Sequence, residues 1–122
     1  MIQRIALSLL LLASPIAPAW AAQLIMVEQA GCHYCQRWHA EIGPIYPKTD
    51  EGAFAPLKRM DIRSAPPKGV KFARRVNFTP TFILVENGTE AARIEGYPGE
   101  DFFWGLLDVM LRKHPEFTGT GG

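Results

Sequence analysis

Of 122 residues only two are cysteine, and neither sign of charge dominates, with 13 Lys and Arg against 12 Asp and Glu. A disulfide-stapled scaffold is therefore excluded, and nothing in the charge balance draws the chain to nucleic acid or anionic lipid. No internal repeat and no catalytic Ser/His/Asp spacing is present. Metal ligands are short as well: Cys32, Cys35 and His39 offer three where structural zinc wants four, so no metal is expected. Attachment of c-type haem needs a histidine immediately after the second cysteine, and Gln36 stands there instead. The longest apolar run, Ile5 to Ala13, is broken by Ser8 and followed by Pro15 and Pro18. That falls short of the about 20 residues a membrane-spanning helix requires.

What is present begins with that run. A positive start at Arg4, the apolar stretch, and the small-residue pattern Ala19-Trp20-Ala21 read as a secretory signal peptide over residues 1–21, cut after Ala21. No cysteine near the cut offers a lipid anchor. Loss of the leader removes Arg4 and leaves acidic and basic residues balanced. About 100 residues then remain, enough for one compact domain, read here as residues 22–115, with a disordered tail over 116–122. Export puts the two cysteines in an oxidising space.

The two cysteines stand two residues apart in Gly31-Cys32-His33-Tyr34-Cys35, directly after the apolar run Leu24-Ile25-Met26-Val27. A structural disulfide closing so small a loop constrains the unfolded chain very little, because the entropic benefit grows with loop length. The spacing instead suits redox chemistry. A strand that delivers Cys-x-x-Cys to the first turn of a helix places a thiolate where the helix N-terminus stabilises it. Exchange needs one accessible thiolate to attack a disulfide and a second thiol close behind to resolve the mixed disulfide. Cys32, in the exposed first turn, is expected to attack, and Cys35, further into the helix, to resolve. His33 is expected to modulate the nucleophile by favouring its thiolate.

Along the chain, Leu24 to Glu28 reads as a buried strand and Cys32 to about Ile42 as a helix stopped by Gly43-Pro44. Lys58 to Ile62 reads as a second strand. Ser64-Ala65-Pro66-Pro67 reads as a turn, and Lys68 to Arg75 as a short basic helix. Phe78 to Glu86 reads as a core strand, turned by Asn87-Gly88 into a hairpin partner over Thr89 to Glu95. A final helix starts at Glu100-Asp101, with Phe103, Leu106, Leu107 and Met110 on one apolar face. These elements predict an α/β fold with a central four-stranded mixed sheet, covered on both faces and flanked by about three helices. Thr79-Pro80 stands at the start of that core strand, from whose interior proline is normally excluded.

Cys32-His33-Tyr34-Cys35, the stretch Val76 to Phe82 around Thr79-Pro80, and the late Gly96 together resemble the thioredoxin superfamily, from about Leu24 to Lys113. The resemblance implies a cis bond before Pro80, facing the disulfide, and pairing of the Thr79 backbone with an incoming substrate chain. Tyr34, Gly96 and Tyr97 complete the expected substrate surface, the two tyrosines as an aromatic anchor. Cys-x-Tyr-Cys-x-x-x-His also resembles the catalytic segment of DsbC isomerases, but those carry a dimerisation domain for which this chain has no room. Glu28 to Cys32, Thr79 to Phe82 and Ile94 to Trp104 resemble the SoxS-type periplasmic thioredoxins of bacterial sulfur-oxidation (Sox) systems. That likeness implies electrons from a membrane thiol transporter of the CcdA/DsbD type and a cysteine-bearing sulfur carrier, SoxYZ, as the substrate. No cofactor beyond the Cys32-Cys35 disulfide is implied, and the chain is read as a monomer. The sequence departs from the superfamily where a buried acid is customary, since Met26 stands there. Glu28 and His39 are the nearest groups able to assist proton transfer, and the sequence leaves that role open. An isomerase or oxidase, a glutathione-dependent enzyme, and a non-catalytic binding protein or metal chaperone are the alternative functions.

Overall fold

The computed structural model describes residues 22–119, so the expected signal peptide lies outside the described residues. Four successive apolar side chains, Leu24 to Val27, are fully buried in strand β1 (Gln23–Glu28). A strand can hide consecutive residues only if both of its faces are covered. β1 is central: it pairs in parallel with β2 (Leu57–Asp61) and antiparallel with β3 (Thr81–Glu86). β3 in turn pairs antiparallel with β4 (Thr89–Glu95), giving the order β2-β1-β3-β4. Three helices complete the fold: α1 (His33–Glu41), the short α2 (Asp50–Phe54) and α3 (Glu100–Arg112). The expected mixed four-stranded sheet is present with three helices, but the middle one is α2 at Asp50–Phe54 and not the stretch Lys68 to Arg75. Among the described residues no helix is long and apolar enough to cross a membrane.

One face of the sheet, formed by Leu24, Met26, Phe82, Leu84 and Ile94, receives α1 through Trp38 and Ile42 and α3 through Phe103, Leu107 and Leu111. Its centre is aromatic. Ring centroids of Trp38, Phe82 and Phe103 lie 4.9–5.7 Å apart in tilted or edge-on contacts, each worth about 0.5–1.5 kcal/mol beyond the area it buries.

The other face, formed by Ile25, Val27, Ile83 and Val85, is covered without a helix. Here the expectation for Lys68 to Arg75 is corrected, because this stretch is an irregular strap. Val70 and Phe72 turn inward while Lys71 stays exposed, a period of two. The strap's backbone bonds also go to the hairpin and not along itself: Lys71 donates to the carbonyl of Gly88 (2.7 Å) and accepts from the N–H of Glu90 (3.0 Å). A buried ion pair on β4 completes the tether. Arg93 and Glu90, each with a 4% exposed side chain, meet at 2.6 and 2.9 Å. Arg93 also donates to the carbonyls of Arg74 and Arg75, and Glu90 accepts from the N–H of Ala73.

Two further boundaries differ from expectation. β3 begins at Thr81, after Pro80, because proline supplies no donor to the ladder. Leu106 of α3 is 44% exposed, and Leu111 takes its place in the core. Of the stretch expected to be a disordered tail, residues 116–119 are described, and Phe117 packs edge-on against Phe54 with centroids 5.3 Å apart.

Candidate active site

Three loops meet at one end of the sheet. The register pairs Val27 with Thr81 and Thr81 with Glu95, so the chain leaving β1, the chain entering β3 and the chain leaving β4 share an edge. The first loop carries the two cysteines, the second Thr79-Pro80 and the third Gly96-Tyr97.

After β1, Gly31 turns the chain at φ +78°, a conformation that a side chain disfavours. Cys32 then caps α1 in an extended conformation, and its Sγ accepts the N–H of Cys35 at 3.1 Å. Sulfur thus takes the place of the serine or aspartate oxygen usual at this position, satisfying one of the otherwise orphaned amides of the first turn. Amides and dipole together favour negative charge at Cys32. The two sulfurs are bonded to each other, with Cα atoms 5.2 Å apart. Cys35 is buried at 3% exposure while Cys32 is only partly covered.

The Thr79-Pro80 bond is cis, and the loop is held from both sides. Gln29 Nε2 donates to Thr79 Oγ1 (2.9 Å), and the same Gln29 accepts the Cys32 N–H through its carbonyl (3.2 Å). Gly96, at φ +90°, donates its N–H to the carbonyl of Pro80 at 2.7 Å. Among the described residues neither the N–H nor the C=O of Thr79 has a partner, which leaves an edge able to pair with an extended chain.

The expected aromatic anchor is only half present. Tyr34 is 54% exposed, but Tyr97 is 6% exposed and packs on Phe103. Its hydroxyl donates to Glu41 at 3.0 Å, and burial together with that carboxylate pushes its pKa up to about 12. Tyr97 therefore shapes the turn from inside, which corrects its expected place on the anchoring surface. The exposed aromatic that sequence reasoning missed is Phe78, 59% exposed. Its place in a run rich in aromatic and β-branched residues makes it read as core strand, although Pro80 two positions on signals that the strand starts later. His33 is exposed and stands edge-on to Tyr34 at 5.8 Å. No hydrogen bond joins it to Cys32 among the described residues.

Glu28 and His39, left open by the sequence, are brought together. His39 Nε2 and Glu28 Oε1 lie 2.5 Å apart, and Arg59 reaches both carboxylate oxygens at 2.5 and 3.2 Å. Burial alone would raise the Glu28 pKa, but the bonds from Arg59 and His39 outweigh it and hold the carboxyl below its ordinary value. The cluster ties β1, α1 and β2 together beside the redox loop. Met26, where the superfamily customarily has an acid, is fully buried. Among the described residues no group of three or more His, Cys, Asp or Glu could hold a metal ion.

The thioredoxin-like domain family matches residues 19–111 of the chain. Among solved structures, the periplasmic thioredoxin SoxS from Paracoccus pantotrophus, in its reduced form, is 52% identical. That match covers 75% of this chain and 97% of that one, at a TM-score of 0.74. Thioredoxin (Mala s 13) from Malassezia sympodialis, 18% identical over 75% of this chain and 76% of that one at a TM-score of 0.52, shares the fold. No curated protein matches the chain.

Proposed function

The chain belongs to the thioredoxin-like family and is a thiol-disulfide oxidoreductase, and from that premise we propose that it is an exported reductase serving particular protein partners. In its dithiol form Cys32, as thiolate, attacks one sulfur of a partner disulfide and releases the other as a partner thiolate, which takes up a proton. Cys35 then loses its proton and attacks Cys32 Sγ. That step restores the Cys32–Cys35 disulfide and frees the partner's second thiolate. Two electrons pass to the partner, and a reductant must return two to this protein. The difference in cover between a capping Cys32 and a buried Cys35 carries this division of labour.

Likeness to a periplasmic SoxS at 52% identity and the signal-like residues 1–21 support work in the periplasm. By the same likeness the substrate is a cysteine-bearing sulfur carrier of the SoxYZ type. The electrons come from a CcdA/DsbD-type membrane thiol transporter, and the protein acts as a monomer. The substrate chain pairs with the free backbone of Thr79 beside Pro80, with Tyr34 and the Gly96-Tyr97 turn flanking it, while His33 modulates Cys32 as its neighbour in the chain without a hydrogen bond to it among the described residues.

Trapping tests both roles. Cys35→Ser should accumulate a mixed disulfide with the physiological partner, identifiable by mass spectrometry, and Cys32→Ser should abolish reduction without trapping anything. Faster alkylation of Cys35 than of Cys32 in the reduced protein at neutral pH would overturn the assignment.

A further inference from the structure

On the strap side of the sheet a cavity of about 870 Å³ opens to solvent, a size within the about 300–1,000 Å³ typical of ligand sites. Val27, Phe72 and Val76 contribute to an apolar floor. Around it stand Arg63, Lys71, Arg74 and Arg75, and no carboxylate lines the space. Arg63 is paired with Asp61 and Arg74 with Glu95. Lys71 and Arg75 are exposed, and neither makes an ion pair among the described residues. The groove is therefore apolar below and carries uncompensated positive charge above.

Along the chain it adjoins the redox site. Asn77 lines it, the exposed Phe78 follows, and Thr79 is next, bonded to the Gln29 whose carbonyl accepts the Cys32 N–H. From the other side, Val27 of the floor lies two residues before Gln29. An extended chain, advancing about 3.3 Å per residue, that pairs with Thr79 and continues over Phe78 would come to the groove at Asn77, two residues before Thr79.

We infer that this groove is a second docking site for the protein substrate, taking an extended segment beside the reactive cysteine that carries apolar and acidic side chains. The inference rests on the redox reading above and adds the chemistry of the partner to it. Backbone pairing at Thr79 reads shape alone. The groove adds selection, because the partner's apolar groups leave water against Phe72 and Val76 while its carboxylates meet Lys71 and Arg75. Rim charges of this kind act chiefly on the rate of encounter and on the rejection of like-charged partners.

The test uses the reduced full chain and three disulfide-linked peptide dimers, with cysteines flanked by Leu and Asp, by Leu and Ser, or by Leu and Lys. Neutral 4,4′-dithiodipyridine, too small to reach the groove, reports the redox step itself. The acidic peptide should be reduced about tenfold faster than the serine one at low salt, and the lysine one should be slowest. Lys71→Glu with Arg75→Glu, both on exposed side chains, should abolish or reverse that order and leave the dithiodipyridine rate unchanged. Equal rates for the three peptides with the native chain, or an order that survives the double charge reversal, would overturn the groove while leaving the redox reading intact. Failure of the native dithiol to reduce dithiodipyridine would instead overturn the redox reading.

Discussion

Where α1 and α3 cover the sheet, Trp38, Phe82 and Phe103 meet ring to ring and the aromatic core excludes water. On the opposite side the strap lies over Ile25, Val27, Ile83 and Val85 with no helix, held by Lys71 on the hairpin and by the Glu90–Arg93 pair. The first side presents the cysteines from a helix whose own backbone bonds fix Cys32. The second leads through Val76 and Asn77 into Phe78-Thr79-Pro80. Nucleophile and recognition loop thus come from opposite layers and meet only at the sheet edge. The chemistry rests on packing, while the loop that receives substrate is tied to buried polar groups.

The largest expected effect lies in those groups. Arg93→Met leaves the Glu90 carboxylate buried without its cation and should cost about 3–5 kcal/mol in urea unfolding. Glu90→Leu combined with Arg93→Met removes both charges and should recover most of that loss. The carbonyls of Arg74 and Arg75 would still lack their donor, so amides of the strap should exchange with solvent faster than those of α1. If the double variant were as unstable as the single one, the tether itself, and not the stranded charge, would be what the pair supplies.

A smaller effect separates this pair from the ionic cluster on the helical side. Glu28 is held below its ordinary value of 4.5 against the burial that opposes it, by Arg59 and His39. A depressed carboxyl contributes stability that is complete above the unfolded value and is lost as pH falls through the folded one. Glu28→Gln should therefore cost on the order of 1 kcal/mol at neutral pH, with the difference from the native chain shrinking as the pH falls from about 5 towards 3. A difference that stayed constant over that range would show that its carboxylate adds nothing to the join between β1, α1 and β2.

The helical side was the more legible of the two. Cys32 and Cys35, the Asn87-Gly88 hairpin and the start of α3 at Glu100 follow from local signals, since spacing and turn chemistry act within a few residues, whereas the cis bond at Pro80 was implied by the resemblance to the superfamily. The strap was not legible in the same way. Its cations after Pro66-Pro67 suggested a helix face, whereas its conformation is set by partners such as Glu90, 17 residues beyond Ala73. Tyr97 misled for the same reason, because its burial depends on Phe103 and Glu41, one of them 56 residues away in the chain. Phe78 was missed through a boundary error at Pro80, since a residue just outside a ladder need not continue its in-and-out alternation.

The smallest expected effect concerns the outward edge of the helical side. Periodicity grouped Leu106 with Phe103, Leu107 and Met110, yet at about 100° per residue Leu106 points roughly 85° from the centre of the buried set that includes Leu111. The helix is turned towards Trp104, whose ring stacks on Tyr46 at 6.2 Å with an interplanar angle of 15°. That stacking draws Leu111 inward and leaves Leu106 outside, in an apolar stripe with the exposed Phe102 and Val109. A side chain already in water loses little when shortened, so Leu106→Ser should change unfolding stability by less than about 0.5 kcal/mol. Stability of the native chain should also be independent of protein concentration, as it must be for a monomer. A loss near that of a buried leucine, about 2 kcal/mol or more, together with a midpoint that rises with concentration, would mean that a second copy covers this stripe. The helical side would then be as incomplete in one chain as the strap side is open.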